Sequence, residues 1–379
     1  MKRFSFWVLL PVLPALGLLP FLAQFPYAAH NMFTDLAVSH YPNTLYFQQS
    51  LLMFGQIPLW SPTILSGYPF SANPLSGLWY PPGWVALLFP QPLGMNVGTL
   101  VHVVFAGVGM YLFLRAEGLN RPAAALGGLA LTAFPKLGAH FASGHLTLVY
   151  AVCWTPWLLW CTRRAAGVWW AAGQGLCLAA ITLADPRWTI YAGLLWGSFH
   201  LRMLLQAGNK PIRAAWKTAQ AVVAQAAVAL LLAAPLLLPL AEYTRLATRD
   251  AMQVGDSLFL SLPVARLTGF LFPSMDGNTE WFVYPGAFLT VAFLWYLAQP
   301  RLWRGRGFWL LIALAGILLA LGENLPGRAL LAQVPGFRMM RVPARSLLVT
   351  GLAMAVLAAN LLHDMTSSAF LGQRSAYFA

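Results

Sequence analysis

The 379-residue sequence predicts an all-α polytopic membrane protein, with about ten transmembrane helices forming a single domain over 1–379. Three observations predict it. Hydrophobic residues make up 59% of the chain and charged residues 9%, whereas a soluble domain carries about 25% charge. The mean hydropathy is +0.66. Apolar runs near 20 residues recur along the chain, the length that about 30 Å of hydrocarbon demands at about 1.5 Å of rise per residue. These observations exclude a disordered chain and argue against an ordinary soluble enzyme. They also change the meaning of the net charge of +13, which in a soluble protein would suggest nucleic acid. Here no nucleic-acid partner is expected.

The runs lie near 5–24, 97–115, 122–139, 147–162, 168–184, 188–206, 217–240, 283–299, 307–322 and 345–362. Lys2 and Arg3 precede the first, which is too long and bulky for a cleaved leader. They place the N-terminus in the cytoplasm by the positive-inside rule. Alternation then puts Lys2, Arg3, Arg115, Arg121, Arg163, Arg164, Arg202, Lys210, Arg213, Lys217, Arg301, Arg304, Arg306 and Arg374 inside, 14 of the 23 basic residues. Asp35, Asp185, Glu242, Asp250, Asp256, Asp276, Glu280 and Glu323 fall outside, eight of the ten acids. Only Glu117 and Asp364 fall inside. The long loops, 25–82, 241–282 and 323–344, are all outer. Long loops that hold most of the acids on a helical scaffold are where a site is expected.

Cys153, Cys161 and Cys177 lie in apolar runs. The first two stand about 12 Å apart along one helix, so they cannot bond to each other. No zinc spacing is present, and no metal site is expected from the sequence. His30, Asp35 and His40 are evenly spaced, but a spacing of five suits neither one helix face nor one strand face.

The first outer loop is punctuated by Pro and Gly, as in Gly55-Gln56-Ile57-Pro58 and Ser66-Gly67-Tyr68-Pro69. Tyr46 to Phe54 reads as a short interfacial helix, and Trp84 to Phe89 as a re-entrant or interfacial piece. Asp35 is the only acid in this loop. At the membrane surface it could be a general base for an acceptor hydroxyl. Alternatively, Thr34 or Asp35 caps a helix beginning at Leu36. Asp185, before Pro186, reads either as a cap for the next helix or as an auxiliary to the site. Lys136 and His140 interrupt an apolar run, which makes them functional candidates, although Lys136 could instead snorkel to the surface.

The order of motifs resembles a family. An Asp after the first span is followed by GQIPLWSPTILSGYPFSANPLSGLWYPP, then Leu100 to Arg115, then Ser143-Gly144-His145 before the fourth span. PLAEYTRLATR (Pro239 to Arg249) and Val334-Pro335-Gly336-Phe337 with Arg341-Val342-Pro343-Ala344-Arg345 follow. The pattern is similar to YfhO-type bacterial membrane proteins of the GT-C glycosyltransferase superfamily. The resemblance implies a GT-C architecture in the cytoplasmic (inner) membrane. It also implies a polyprenyl-phosphate sugar as co-substrate and transfer on the outer face, with Asp35 matching the loop acid. It leaves any divalent-metal requirement open.

Such a transfer needs a base, cations for the departing phosphate and an apolar lipid groove. Asp35 is the candidate base. Arg338, Arg341 and Arg345 are the candidate phosphate ligands, on one face if helical, because guanidinium fits phosphate bidentately. Asp185, Glu242, Arg245 and His145 are candidates for acceptor binding or assistance. Two departures stand out. Many GT-C enzymes carry two adjacent acids in the first loop, and members of the family usually continue past the Arg-Val-Pro-Ala-Arg region. They motivate a competing expectation, a non-catalytic accessory subunit with other membrane subunits as partners. A transporter is disfavoured because the acids crowd at one rim rather than at the membrane midplane.

Overall fold

The computed structural model describes residues 6–17, 34–63, 66–164, 167–206, 211–247, 254–274, 277–325 and 341–367. The architecture is all-α, and among the described residues an isolated bridge between Ser61 and Tyr68 is the only β-type pairing. Eleven helices organise it. They are α1 (Tyr41–Phe54), α2 (Leu93–Ala116), α3 (Arg121–Thr132), α4 (Pro135–Ala142), α5 (Leu146–Arg163), α6 (Val168–Ala184), α7 (Pro186–Gln206), α8 (Pro211–Arg245), α9 (Ala287–Ala298), α10 (Trp303–Leu321) and α11 (Leu347–Thr366). Four stretches are long and apolar enough to cross a membrane: Leu93–Ala116, Ala215–Arg245, Gly305–Asn324 and Pro343–Thr366.

The expected run 122–139 is not one helix. It divides into α3 and α4 because Pro135 has no N–H to donate and forces Phe134 into an extended conformation. The loop helix begins earlier than expected, since a π-helical turn at Leu36–His40 leads directly into α1. Gln48 fastens α1 by donating to the carbonyls of Leu87 and Phe89, both at 2.9 Å. Trp84 to Phe89 belongs to a 3-10 segment, Pro81–Leu88, packed against α2.

α11 forms the centre, with α3, α9 and α10 packed around it. Small residues allow the close approach. A Cβ at Gly351 would stand 2.2 Å from the Phe134 ring, and one at Gly127 would meet Leu114 at the same distance. Without a hydrophobic driving force in lipid, such close backbone packing is what holds helices together. Burial contrasts sharply between spans: 83% of the Pro343–Thr366 window is enclosed, against 22% for Ala215–Arg245.

Polar side chains tie the first loop to the bundle. His102 Nδ1 lies 2.7 Å from the Gly98 carbonyl and must donate to it. Its Nε2 therefore accepts from Tyr80 Oη at 2.7 Å, and that hydroxyl accepts from Trp154 Nε1 at 2.6 Å. The His102 ring also stacks on Tyr150, centroids 3.8 Å apart. The three cysteines are free and buried.

Charges gather at opposite ends of α5. At its C-terminal end, Glu117 pairs with Arg163 and Arg202, both at 2.7 Å. The other acid assigned to the inner side, Asp364, pairs with Arg306 at 2.8 Å. At the N-terminal end of α5 lies a second, largely buried ionic cluster.

Candidate functional site

Three loops and α4 build this cluster. Thr34 Oγ1 accepts from the Ala37 N–H at 3.3 Å and so takes the capping role at Leu36. Asp35 makes no side-chain cap bond and is free to turn elsewhere. Its side chain is 58% exposed, and Oδ2 stands 3.6 Å from His145 Nε2.

His145 is placed by Gly144, which holds φ +78 in the turn between α4 and α5. This is the left-handed region that glycine enters without steric cost. The turn also presses on the Asp35 segment, since a Cβ at Gly144 would lie 2.3 Å from the Leu36 backbone nitrogen. Gly144→Ala is therefore expected to lose stability through backbone strain, roughly 1–3 kcal/mol, and further through this collision. Gly118 is the control, because it holds φ +93 with nothing within 4 Å. Equal unfolding temperatures for Gly144→Ala and Gly118→Ala would refute the collision.

Behind His145, the two imidazoles meet with His140 Nδ1 at 2.9 Å from His145 Nδ1. Glu280 comes from the 241–282 loop, its N–H donating to the Asn278 side chain at 2.9 Å. Its Oε1 accepts from Arg345 Nε at 2.8 Å and Nη2 at 2.7 Å. Its Oε2 faces His140 Nε2 at 3.6 Å. Lys136 is fully buried and does not snorkel. Its Nζ donates to the Glu280 carbonyl at 2.6 Å and the Phe282 carbonyl at 3.3 Å. Burial would raise the Glu280 carboxyl, but His140, Arg345 and Lys136 outweigh it and hold it down to about 2. Burial also lowers His145, with Arg345 adding to the effect while Glu280 and Asp35 oppose it.

Asp185 takes the capping role. Oδ1 accepts from the Arg187 N–H at 3.0 Å, capping α7, and the same carboxylate is bridged by Arg187 Nε at 2.8 Å and Nη2 at 2.6 Å. Thr147 donates to Oδ2 at 3.3 Å. Burial raises Asp185, but Arg187 more than offsets this and the net shift is downward. The Arg187 side chain remains 39% exposed.

The other candidates are dispersed. Arg345 is committed to Glu280, and Arg341 is exposed with its guanidinium 5.5 Å from the Phe259 ring centre. Val342 at φ +66 and a 3-10 turn at Pro343–Ser346 interrupt the helix that would have aligned them. Arg338 lies outside the described residues, as does His30. Glu242 and Arg245 are exposed at the end of α8, and no ion pair joins them among the described residues. Glu280 and Arg187 are the members that sequence reasoning did not single out. The signal for Glu280 was Lys136, a cation in an apolar run that needs a partner.

Beside the cluster, a cleft of about 50 Å³ is lined by His40, Thr44, Tyr80, Leu146, Thr147 and Tyr150, among others. It has room for a few waters and is far smaller than a ligand pocket of ~300–1,000 Å³. The open side of the cluster is where Asp35 and Arg187 emerge. No family model, curated protein or solved structure matches this chain. The functional reading therefore rests on sequence and geometry.

Acid should weaken the protein in two stages. Burial lowers His40 to about 4 from its ordinary 6.5, with Arg187 and His145 adding to it and Asp35 and Asp185 opposing. Protonation thus favours the unfolded chain, and the stability is complete above pH 6.5 and lost as pH falls to about 4. For His40 this is at most about 3 kcal/mol. Glu280, also lowered, adds a second loss from its ordinary 4.5 toward 2. His40→Gln should flatten unfolding temperature against pH in the upper window, and an unchanged slope there would exclude His40.

Proposed function

We propose that the protein is a GT-C-type membrane transferase of ten spans. It moves a sugar from a polyprenyl phosphate to an acceptor hydroxyl at the outer face of the bacterial inner membrane. The observation that carries this reading is the setting of Asp35. It is a half-exposed carboxylate, not spent on capping, backed by His145 at 3.6 Å at the open side of a buried ionic cluster. Asp35 takes the acceptor proton, and the neighbouring imidazole orients it. The half-exposed guanidinium of Arg187 supplies positive charge on the same side, where a departing phosphate needs it. Arg341 is a further exposed candidate, while Arg345 supports the cluster from within. The motif order described above gives the donor class. The deciding experiment is transfer from a radiolabelled polyprenyl-phosphate sugar by purified wild-type and Asp35→Asn protein.

A second reading, an accessory subunit, is favoured by one observation. The Ala215–Arg245 span is only 22% enclosed and carries exposed Leu230, Leu231 and Leu238. Co-purification with other membrane subunits in fixed ratio, with no transfer activity, would select it.

A further inference from the structure

The chain of groups Asp35, His145, His140 and Glu280 has three junctions, with closest separations of 3.6, 2.9 and 3.6 Å. Two neutral imidazoles bring only two N–H groups to three junctions. If His140 Nδ1–H donates to His145 Nδ1, then His145 Nε2–H is left for Asp35. His140 Nε2 then faces Glu280 Oε2 with lone pair against lone pair. Both of these atoms are buried without a hydrogen-bond partner. Their side chains are 0% and 3% exposed. Two buried acceptors 3.6 Å apart leave room for a cation between them.

We infer that His140, His145 and Glu280 form a binding site for a zinc-class divalent transition metal. The ligand set, two imidazoles and one carboxylate, is one that zinc uses where a further position stays open. One ligand-capable atom from each of the three lies within 4.8 Å of the others, and His145 joins through Nδ1, which gives up the hydrogen bond from His140 for the ion while Nε2–H stays on Asp35. Two bonds of ~2.0–2.1 Å spanning the 3.6 Å between His140 Nε2 and Glu280 Oε2 enclose an angle of about 120°. That pair needs little adjustment to reach a four-coordinate angle, whereas the His145 ring must turn toward the ion, since two ligands on bonds of ~2.1 Å stand at most ~4.2 Å apart. The surroundings act as an outer shell should. Arg345 grips Oε1 alone and leaves Oε2 directed at the imidazole, while Lys136 donates to backbone carbonyls rather than to the carboxylate. Calcium and magnesium are poor fits, because they require several oxygen ligands and only one carboxylate oxygen is available here. His145 joins this site to Asp35, so a bound ion would lie one imidazole away from the open side.

The inference rests on these contacts and not on the transfer reading. Its test is metal binding by the purified full-length chain in detergent, stripped with chelator and titrated with Zn²⁺, then with Co²⁺ as a spectroscopic probe. The expected result is about one Zn²⁺ per chain, a raised unfolding temperature and the visible absorption of a four-coordinate Co²⁺ centre. His140→Gln and His145→Gln should each weaken binding roughly 100-fold or more. The unfolding temperature of each variant in chelator is the baseline from which its own Zn²⁺ shift is read, and that shift should be lost. Stripped wild type that neither takes up Zn²⁺ nor gains thermal stability would overturn the inference, and this arm needs no variant to fold. Wild-type affinity in either histidine variant would overturn it as well.

Discussion

Asp35→Asn protein is expected to lose transfer activity by roughly 10²–10⁴-fold, the contribution of a general base, while unfolding at the wild-type temperature. The two halves of this expectation have separate causes. Asparagine cannot accept a proton at neutral pH, so the acceptor hydroxyl would attack without deprotonation. Stability is spared because Asp35 is 58% exposed, caps nothing through its side chain and has a neighbour at 3.6 Å rather than a tight ion pair. Exposed pairs of this kind contribute little. Full activity in Asp35→Asn would exclude Asp35 as the base and leave the accessory-subunit reading in front. Lost activity together with a lowered unfolding temperature would show instead that Asp35 supports the fold.

Glu280→Ala should behave in the opposite sense, destabilising the fold by roughly 3–5 kcal/mol. Removing the carboxylate strands Arg345, whose side chain is 8% exposed and whose Nε and Nη2 both point at Glu280. It also removes the negative group nearest the buried Lys136. An unpaired charge in such a place costs far more than the pair contributes. The double variant Glu280→Met with Arg345→Met tests the cause. It should recover much of the loss, since apolar groups of similar volume need no partner. If the double variant is as unstable as Glu280→Ala, the loss comes from packing in the 241–282 loop rather than from a stranded charge. On the proposed reading, the two acids at the ends of one imidazole pair divide the work, the outer one for chemistry and the inner one for the fold.

The helical class and most helix positions were legible because apolar runs of spanning length report removal from water directly. The break at Phe134–Pro135 was also written in the sequence, but the apolar composition continues across it and masks the proline. Asp35, Asp185 and His145 were legible as candidates because each stands just outside an apolar run. Lys136 and His140 were legible because they interrupt one. Glu280 was hidden among five acids of the 241–282 loop, with nothing local to set it apart. Its partners lie 65 residues ahead, at Arg345, and 144 residues behind, at Lys136. Spacing rules reach four residues along a helix or across a paired strand, so contacts of this range escape them. The pairing of Arg345 was hidden for the same reason. An arginine near a surface suggests phosphate until the buried carboxylate that already holds it is known.

The central helix α11 is also the one that follows all other described helices in the chain. During synthesis, the earlier helices enter the bilayer before the element they pack around has been made. Gly127 meets Ala359 and Phe134 meets Gly351 only once α11 arrives. Arg345, at its entry, arrives with it, so Glu280 waits until then for the guanidinium that makes its two shortest contacts. Docking of α11 therefore closes the helix packing and completes the ionic cluster in one event.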